Sequence, residues 1–151
     1  MARTVLTFGK HAGKTLPQVL FNDPDWFYWA MEKNYFKDKG KLLDEAQELY
    51  HKSINIRIPQ NNKEQLKVEY AYYKEKYDSI EIVSIDKPHH GGTIRKNNID
   101  LSMPRKTKRF DKKGCKMLVA DFKEIKFGKK SYRMTKKRCE EFFANDDNFD
   151  L

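Results

Sequence analysis

Cysteine and long apolar runs are scarce in this chain of 151 residues. Two cysteines, Cys115 and Cys139, are too few for a disulfide framework. No run of 18 apolar residues is available to cross a membrane. The first four residues, Met-Ala-Arg-Thr, lack the apolar core of a secretory signal. We therefore expect a protein of the reduced cytoplasm that has no membrane partner.

Familiar nucleotide-binding and nucleic-acid-binding motifs are also missing. Gly9 and Gly13 are each followed by lysine, but three residues separate the glycines, whereas a phosphate-binding P-loop has four. The chain contains no helix-turn-helix, zinc-finger or RNP-type pattern. Nucleotide hydrolysis and sequence-specific base reading are not indicated, and no cofactor is expected.

Aromatic and charged residues are abundant, at 13% and 35%, and the mean hydropathy is −0.91. The aromatic content argues against disorder, because disordered segments have few aromatic residues. At this length we expect one domain, or one domain with a small appended module.

Residues 5–31 read VLTFGKHAGKTLPQVLFNDPDWFYWAM. This pattern predicts a short strand, a tight turn at the two glycines and two helices. Thr15 followed by Gln18 has capping-box spacing, and Pro24 suits the first turn of the second helix. The turn offers Lys10, His11 and Lys14 to nucleic acid. The alternative is a turn and two helices with a purely structural aromatic core.

The same segment resembles the small module at the C-terminus of exodeoxyribonuclease X. The resemblance covers residues 5–35, and similar modules occur in phage and bacterial proteins. It implies a nucleic-acid-associated context without the exonuclease active site, which lies in a separate domain. The matching residues are Phe8, Gly9, Lys10, Gly13, Lys14, Leu16, Val19, Asp25, Trp26, Phe27 and Trp29.

Positive charge is concentrated in residues 105–138, which carry 15 Lys and Arg against three acidic residues. This stretch has a net charge of +12, and the rest of the chain has −3. Such a local excess is typical of a polyanion-binding surface, although a solvated basic face has the same composition. The candidate phosphate ligands are Arg105, Lys106, Lys108, Arg109, Lys112, Lys113, Lys129, Lys130 and Arg133.

Three aromatic residues, Phe110, Phe127 and Tyr132, interleave with these basic residues. Aromatic rings stack on unpaired bases. The interleaving suits single-stranded or branched DNA as readily as duplex, and a core position explains Phe127 and Tyr132 equally well.

The expected fold class is α+β, with an N-terminal turn-and-helix module, a small mostly antiparallel sheet and a C-terminal helix. The expected divisions are a module at 1–38, a domain at 41–144 and an acidic tail at 145–151. Residues 61–77 have both strand and helix periodicity, and a start signal at Asn62 favours helix. The other predicted elements are helices at 41–52 and 136–144, strands at 54–58, 80–85, 94–103, 117–122, 123–127 and 131–134, and loops at 86–93 and 104–116.

Two catalytic or metal-binding alternatives have weaker patterns. Glu124 and Lys126 form a Glu-x-Lys pair on an expected strand, and Asp100 is the candidate for the first acid of a metal-dependent nuclease. A charged strand edge has the same pattern. His89 and His90, with Cys115 and Cys139, lack the spacing of a zinc site, so no metal is predicted.

The tail at 145–151 reads NDDNFDL and ends in two apolar side chains, Phe149 and Leu151. Such a tail is a candidate dock for a host or replication protein. It is equally compatible with folding back onto the protein's own basic surface, or with a frayed terminus.

The leading hypothesis is a non-enzymatic nucleic-acid-binding accessory protein that binds DNA with low sequence specificity. The resemblance suggests a phage-related role in replication, recombination or host takeover. The alternatives are a factor that binds a host polymerase or nuclease, and a small metal-dependent nuclease.

Overall fold

In the computed structural model, which describes residues 3–61 and 63–151, six α-helices are combined with one three-stranded antiparallel sheet. The α+β class and the C-terminal helix expected from the sequence are confirmed. The helices are α1 (Leu16–Asn22), α2 (Pro24–Glu32), α3 (Lys41–Ser53), α4 (Met103–Lys108), α5 (Lys112–Phe127) and α6 (Lys136–Ala144). The strands are β1 (Leu66–Tyr73), β2 (Lys76–Ser84) and β3 (Thr93–Lys96), in the order β2-β1-β3.

The N-terminal turn and its two helices follow the expected capping chemistry. The Thr15 backbone N–H donates to Gln18 Oε1 at 3.0 Å, as a capping box requires. The Asp23 carboxylate accepts from the Trp26 N–H and so caps α2. Gly13 has a φ of +90°, and its N–H donates to the Leu6 carbonyl at 2.8 Å, which closes the turn. The expected short strand is reduced to one bridge between Val5 and Thr15.

The expected helix at 61–77 is wrong, because this segment forms β1 and the start of β2. Lys74 and Glu75 make the hairpin turn with φ values of +49° and +61°. Helical spacing would have buried Tyr73, which is 69% exposed, whereas alternation buries Val68 and Tyr70 in the core. The start signal at Asn62 lies outside the described residues.

The expected loop at 104–116 and the strands at 117–127 are also wrong, because this stretch forms α4 and α5. Leu118 and Phe122, one helical turn apart, bury one face of α5. The Asp111 carboxylate accepts from the Gly114 N–H and caps the start of the helix. Gly128, with a φ of +86°, ends it. In this stretch the helical spacing of the buried residues and the helix caps determine the secondary structure, and the local alternation of apolar and polar residues does not.

Two smaller strand expectations also differ. In the segment at 54–58, only Ile56 makes ladder contacts, as isolated bridges to Ile99 and Phe149. The segment at 131–134 is not a strand. The helix expected at 136–144 is confirmed, with Thr135 capping it through a hydrogen bond from the Arg138 N–H.

One hydrophobic core joins the N-terminal turn, the central elements and the tail. Phe21 of α1 lies at ring-centroid distances of 5.0 Å from Phe142 and 5.3 Å from Phe143 of α6. It also stacks on Phe122 of α5 at 5.8 Å. The expected division into a module at 1–38 and a domain at 41–144 stays a prediction. No helix among the described residues is long and apolar enough to cross a membrane.

Gly114→Ala should destabilise the protein, although alanine normally stabilises a helix interior by about 1 kcal/mol over glycine. A Cβ at this position would lie 2.7 Å from Tyr77 Cβ and would also collide with the Asp111 carboxylate. Overpacking of this kind costs about 1–3 kcal/mol. Thermal and urea unfolding should show the loss, and Lys113→Ala on the exposed face of α5 is the matched control. A stabilised Gly114→Ala protein would contradict the packing of α5 on β2.

Candidate nucleic-acid interface

Basic residues from two distant parts of the chain meet at one cavity of about 560 Å³. We call it the basic cavity. The N-terminal turn and the α4–α5 corner each contribute three residues. These are Lys10, His11 and Lys14 from the turn, and Lys108, Lys112 and Lys116 from the corner.

Three of these lysines are free to meet an anion. Lys14, Lys112 and Lys116 are exposed and form no ion pair among the described residues. Lys112 and Lys116 lie one turn apart on α5, so their side chains share a face. A cavity lined by unpaired ammonium groups attracts anions such as phosphate.

His11 has a different position from the other predicted ligands. It lines the cavity but is 6% exposed, and its Nε2 lies 2.9 Å from Asp23 Oδ2. Burial would raise the pKa of Asp23, but the hydrogen bonds from His11 and Lys10 outweigh that effect and lower it. Asp23 therefore stays ionised and holds the Lys10 ammonium group at 3.2 Å. In the structure His11 contacts Asp23, and its direct contact with nucleic acid stays a prediction.

Arg105 and Lys108 are tied to α2 by carboxylates. Asp25 accepts from Arg105 Nη1 at 2.9 Å and from Lys108 Nζ at 2.6 Å. Arg105 also pairs with Glu32 at 2.9 Å. The hydrogen bond from Lys108 to Asp25 raises the pKa of Lys108, and hydrogen bonding to Glu32 and Asp25 raises that of Arg105. Arg105 thus links α4 to α2 through its ion pairs with Asp25 and Glu32.

The remaining predicted ligands form two groups at opposite ends of α5. Lys106, Arg109 and Lys113 are exposed at the α4–α5 corner. Lys129, Lys130 and Arg133 lie beyond the other end of this 16-residue helix, about 24 Å away along its axis. Of these, Lys130 pairs with Asp121 at 3.2 Å, and that hydrogen bond raises its pKa.

The candidate nuclease residues are not brought together. Glu124 and Lys126 lie on a helix, where residues two apart do not face each other. Lys126 donates to the Arg57 carbonyl, whereas Asp100 accepts from Lys96 and Ser102. Burial lowers the pKa of Lys126. The Glu-x-Lys strand that the nuclease reading requires is therefore absent from α5.

No group of three His, Cys, Asp or Glu residues within 3–61 and 63–151 is arranged to hold a metal. Both cysteines are buried, Cys115 beside the basic cavity on α5 and Cys139 in α6. Burial raises the pKa of Cys139 to about 12, so this thiol is inert at neutral pH. His89 Nε2 lies 3.0 Å from the Thr93 carbonyl.

The tail corrects the expectation that Phe149 anchors a partner. Phe149 is 1% exposed and stacks on Phe143, with centroids 5.6 Å apart and an interplanar angle of 14°. The tail folds back through ion pairs of Asp146 with Lys52 and of Asp150 with Arg57. Apolar burial therefore decides the position of Phe149, and the frayed terminus is not observed. Leu151 is 64% exposed and stays a candidate contact.

Sequence reasoning missed Lys116 and the two carboxylates of the cavity, Asp23 and Asp25. The signal for Lys116 was its spacing of four from Lys112, which has meaning only on a helix. Asp23 was visible as the residue before Pro24, in an N-cap position. Its link to His11 and Lys10 depends on the tertiary turn and had no local signal.

Comparison with known proteins finds no family model, no curated protein and no solved structure that matches this chain. The resemblance of residues 5–35 to the exodeoxyribonuclease X module therefore stays a prediction.

Asp25→Asn should destabilise the protein by about 1–3 kcal/mol, because two charged donors lose an ionised acceptor in a largely buried position. Urea unfolding would measure the change. Glu32→Gln is the matched control, since Glu32 is about half exposed and such pairs contribute about 0–1 kcal/mol. Equal effects of the two substitutions would show that Asp25 is not the main link between α2 and α4.

Phe149→Ala should destabilise the protein by about 3–5 kcal/mol, as expected for removal of a buried phenylalanine. Leu151→Ala, two residues later on the exposed end, should change stability by no more than about 0.5 kcal/mol. Thermal unfolding distinguishes the two substitutions. A Phe149→Ala protein as stable as the parent would mean that the tail is not part of the core in solution.

Proposed function

We propose that this protein is a non-enzymatic accessory protein that binds nucleic acid through the basic cavity and the exposed lysines beside it. The observation that carries the proposal is the meeting of Lys10 and Lys14 with Lys112 and Lys116. Segments far apart in sequence contribute to one positive surface, so the fold concentrates charge that composition alone leaves spread along the chain. Three of the cavity lysines have no internal counterion among the described residues.

Phosphate is the chemistry that this surface fits. Lysines that neutralise phosphates release condensed counterions, which supplies binding free energy that falls as salt rises. An ammonium group is a point charge without the planar fork of arginine, so it contacts phosphates more readily than it reads base edges. We therefore expect low sequence specificity, with DNA as the favoured nucleic acid.

The biological setting is an extension of the same proposal. The resemblance of residues 5–35 to the exodeoxyribonuclease X module supports a phage-related role in replication, recombination or host takeover. The two alternative functions have less support. A partner-binding tail has less support because Phe149 is buried in the core. A nuclease has less support because Glu124 and Lys126 lie on a helix and not on a strand.

Replacement of Lys14, Lys112 and Lys116 with glutamine should weaken nucleic-acid binding and reduce its dependence on salt. Each lost phosphate contact reduces the slope of log K against log salt by about 0.7 for single strands and 0.9 for duplex, so the three together remove about 2–3. Fluorescence anisotropy of labelled DNA at several salt concentrations measures the slope.

The matched control replaces Lys33, Lys37 and Lys63, which are also exposed but do not line the basic cavity. This variant has the same net charge as the cavity variant, so it separates a local site from a general effect of charge. Equal loss of binding in both variants would reject the cavity as the site. Absence of DNA binding by the parent protein at low salt would reject the proposed function itself.

A further inference from the structure

A second, mostly apolar cavity is also lined by residues of the α4–α5 corner. We call it the apolar cavity. It has a volume of about 260 Å³, and its walls include Tyr72 and Ile94 from the sheet, Met103 from α4 and Phe110 from the corner. The exposed Lys106 also lines it. Phe110 and Ile94 are 44% and 43% exposed, so apolar surface is available to a ligand.

The Phe110 ring is held in place before any ligand binds. Tyr72 contacts it edge to face, with centroids 5.7 Å apart and an interplanar angle of 68°. The Tyr72 hydroxyl is hydrogen bonded to Thr107 Oγ1 at 2.9 Å, and Thr107 is fully buried. Because Tyr72 belongs to the central strand β1, the orientation of Phe110 is fixed by the sheet.

Phe127 and Tyr132, the other two aromatic residues that the sequence offered for base stacking, are already in contact with other rings. Phe127 and Tyr132 stack on each other, with centroids 5.0 Å apart and an interplanar angle of 12°. The Arg138 guanidinium lies 4.5 Å from the Tyr132 ring centroid. Both rings pack against the core. Of these three aromatic residues, Phe110 is therefore the one whose ring has exposed surface available for base stacking.

Phe110 lies between two lysines of the basic cavity in the sequence. Lys108 and Lys112 are each two residues away, and two residues span at most about 7 Å of chain. The two cavities therefore share this corner, since Thr107 and Phe110 line the apolar cavity whereas Lys108 and Lys112 line the basic cavity. A strand that crosses the corner can contact the residues of both cavities.

We propose that the protein binds single-stranded nucleic acid and seats one unpaired base in the apolar cavity against Phe110, while the neighbouring phosphates bind the basic cavity. The inference rests on the proposed function and narrows its substrate. A duplex keeps its bases stacked inside the helix, so it cannot fill this cavity without base flipping, which costs a few kcal/mol.

Size and charge favour a base over an apolar peptide. The cavity is slightly smaller than the range of about 300–1,000 Å³ typical of pockets for drug-sized ligands, which suits a single heterocycle. Lys106 lines the cavity, and Arg109 and Lys113 are exposed nearby in the sequence. A base that enters carries a phosphate on each side, and these cations complement that charge.

The test is Phe110→Ala, measured by fluorescence anisotropy with labelled oligothymidylate and with a labelled hairpin duplex. Loss of one stacking contact should weaken single-strand binding by about 5- to 150-fold and leave duplex binding nearly unchanged. Phe110→Trp should retain single-strand affinity within about twofold, because any aromatic ring offers a stacking face. Tyr35→Ala, a similarly exposed aromatic (40%) that lines neither cavity, is the matched control.

The outcomes separate this inference from the function on which it rests. Equal effects of Phe110→Ala on single-strand and duplex binding, or no effect on either, would overturn the base seat while leaving nucleic-acid binding intact. Failure of the parent protein to bind any probe would overturn both. Thermal unfolding of Phe110→Ala checks that the corner is still folded. A parallel titration with oligouridylate separates DNA from RNA as the strand that is bound.

Discussion

The packing of Phe21 against the phenylalanines of α5 and α6 is the contact on which the basic cavity depends. Phe21 is 1% exposed and touches Phe122, Phe142 and Phe143. This cluster fixes α1 against α5, and the turn that carries Lys10 and Lys14 leads directly into α1. Burial of a phenylalanine side chain contributes about 1.5–3 kcal/mol, so an apolar contact supplies the free energy that brings like charges together.

Two carboxylates reduce the electrostatic repulsion among the lysines of the basic cavity. Asp23 pairs with Lys10, and Asp25 pairs with Arg105 and Lys108, so these three cations have internal counterions. Lys14, Lys112 and Lys116 remain without one among the described residues. The cavity thus has two cations with an internal counterion and three without one in the described part of the chain, and screening by solvent reduces the mutual repulsion of the three that are exposed and unpaired.

The sequence predicted the fold best where local chemistry is strong. The caps at Thr15, Asp23 and Thr135 act within three residues, and each was either predicted or visible from residue type. The sequence predicted the wrong secondary structure for the basic stretch because few of its residues are apolar. The helical spacing of α5 therefore depends on a small number of buried residues such as Leu118 and Phe122. The segment at 61–77 had both periods, and only strand pairing within the hairpin decides between them.

The site was less predictable than the fold, for a physical reason. Composition identified the charged residues. Which of them stay free depends on partners distant in sequence, such as Asp25 and Glu32, which both pair with Arg105. Likewise, Phe149 was a candidate partner contact in the tail, yet its ring packs against Phe142 and Phe143 in the core. Ion pairs and core contacts between residues distant in sequence thus reduce the set of side chains that remain free to bind a ligand.

The helical form of the basic segment has a consequence for binding. A mobile loop at 104–116 would lose about 1–2 kcal/mol of backbone entropy for each residue that a ligand orders. In α4 and α5 that cost is already met by folding, through the Asp111 cap and the burial of Leu118 and Phe122. Lys112 and Lys116 are therefore held in register before a ligand arrives, and Phe110 is held by Tyr72. A preorganised surface of this kind needs few contacts to bind, because little of their free energy is spent on ordering the protein.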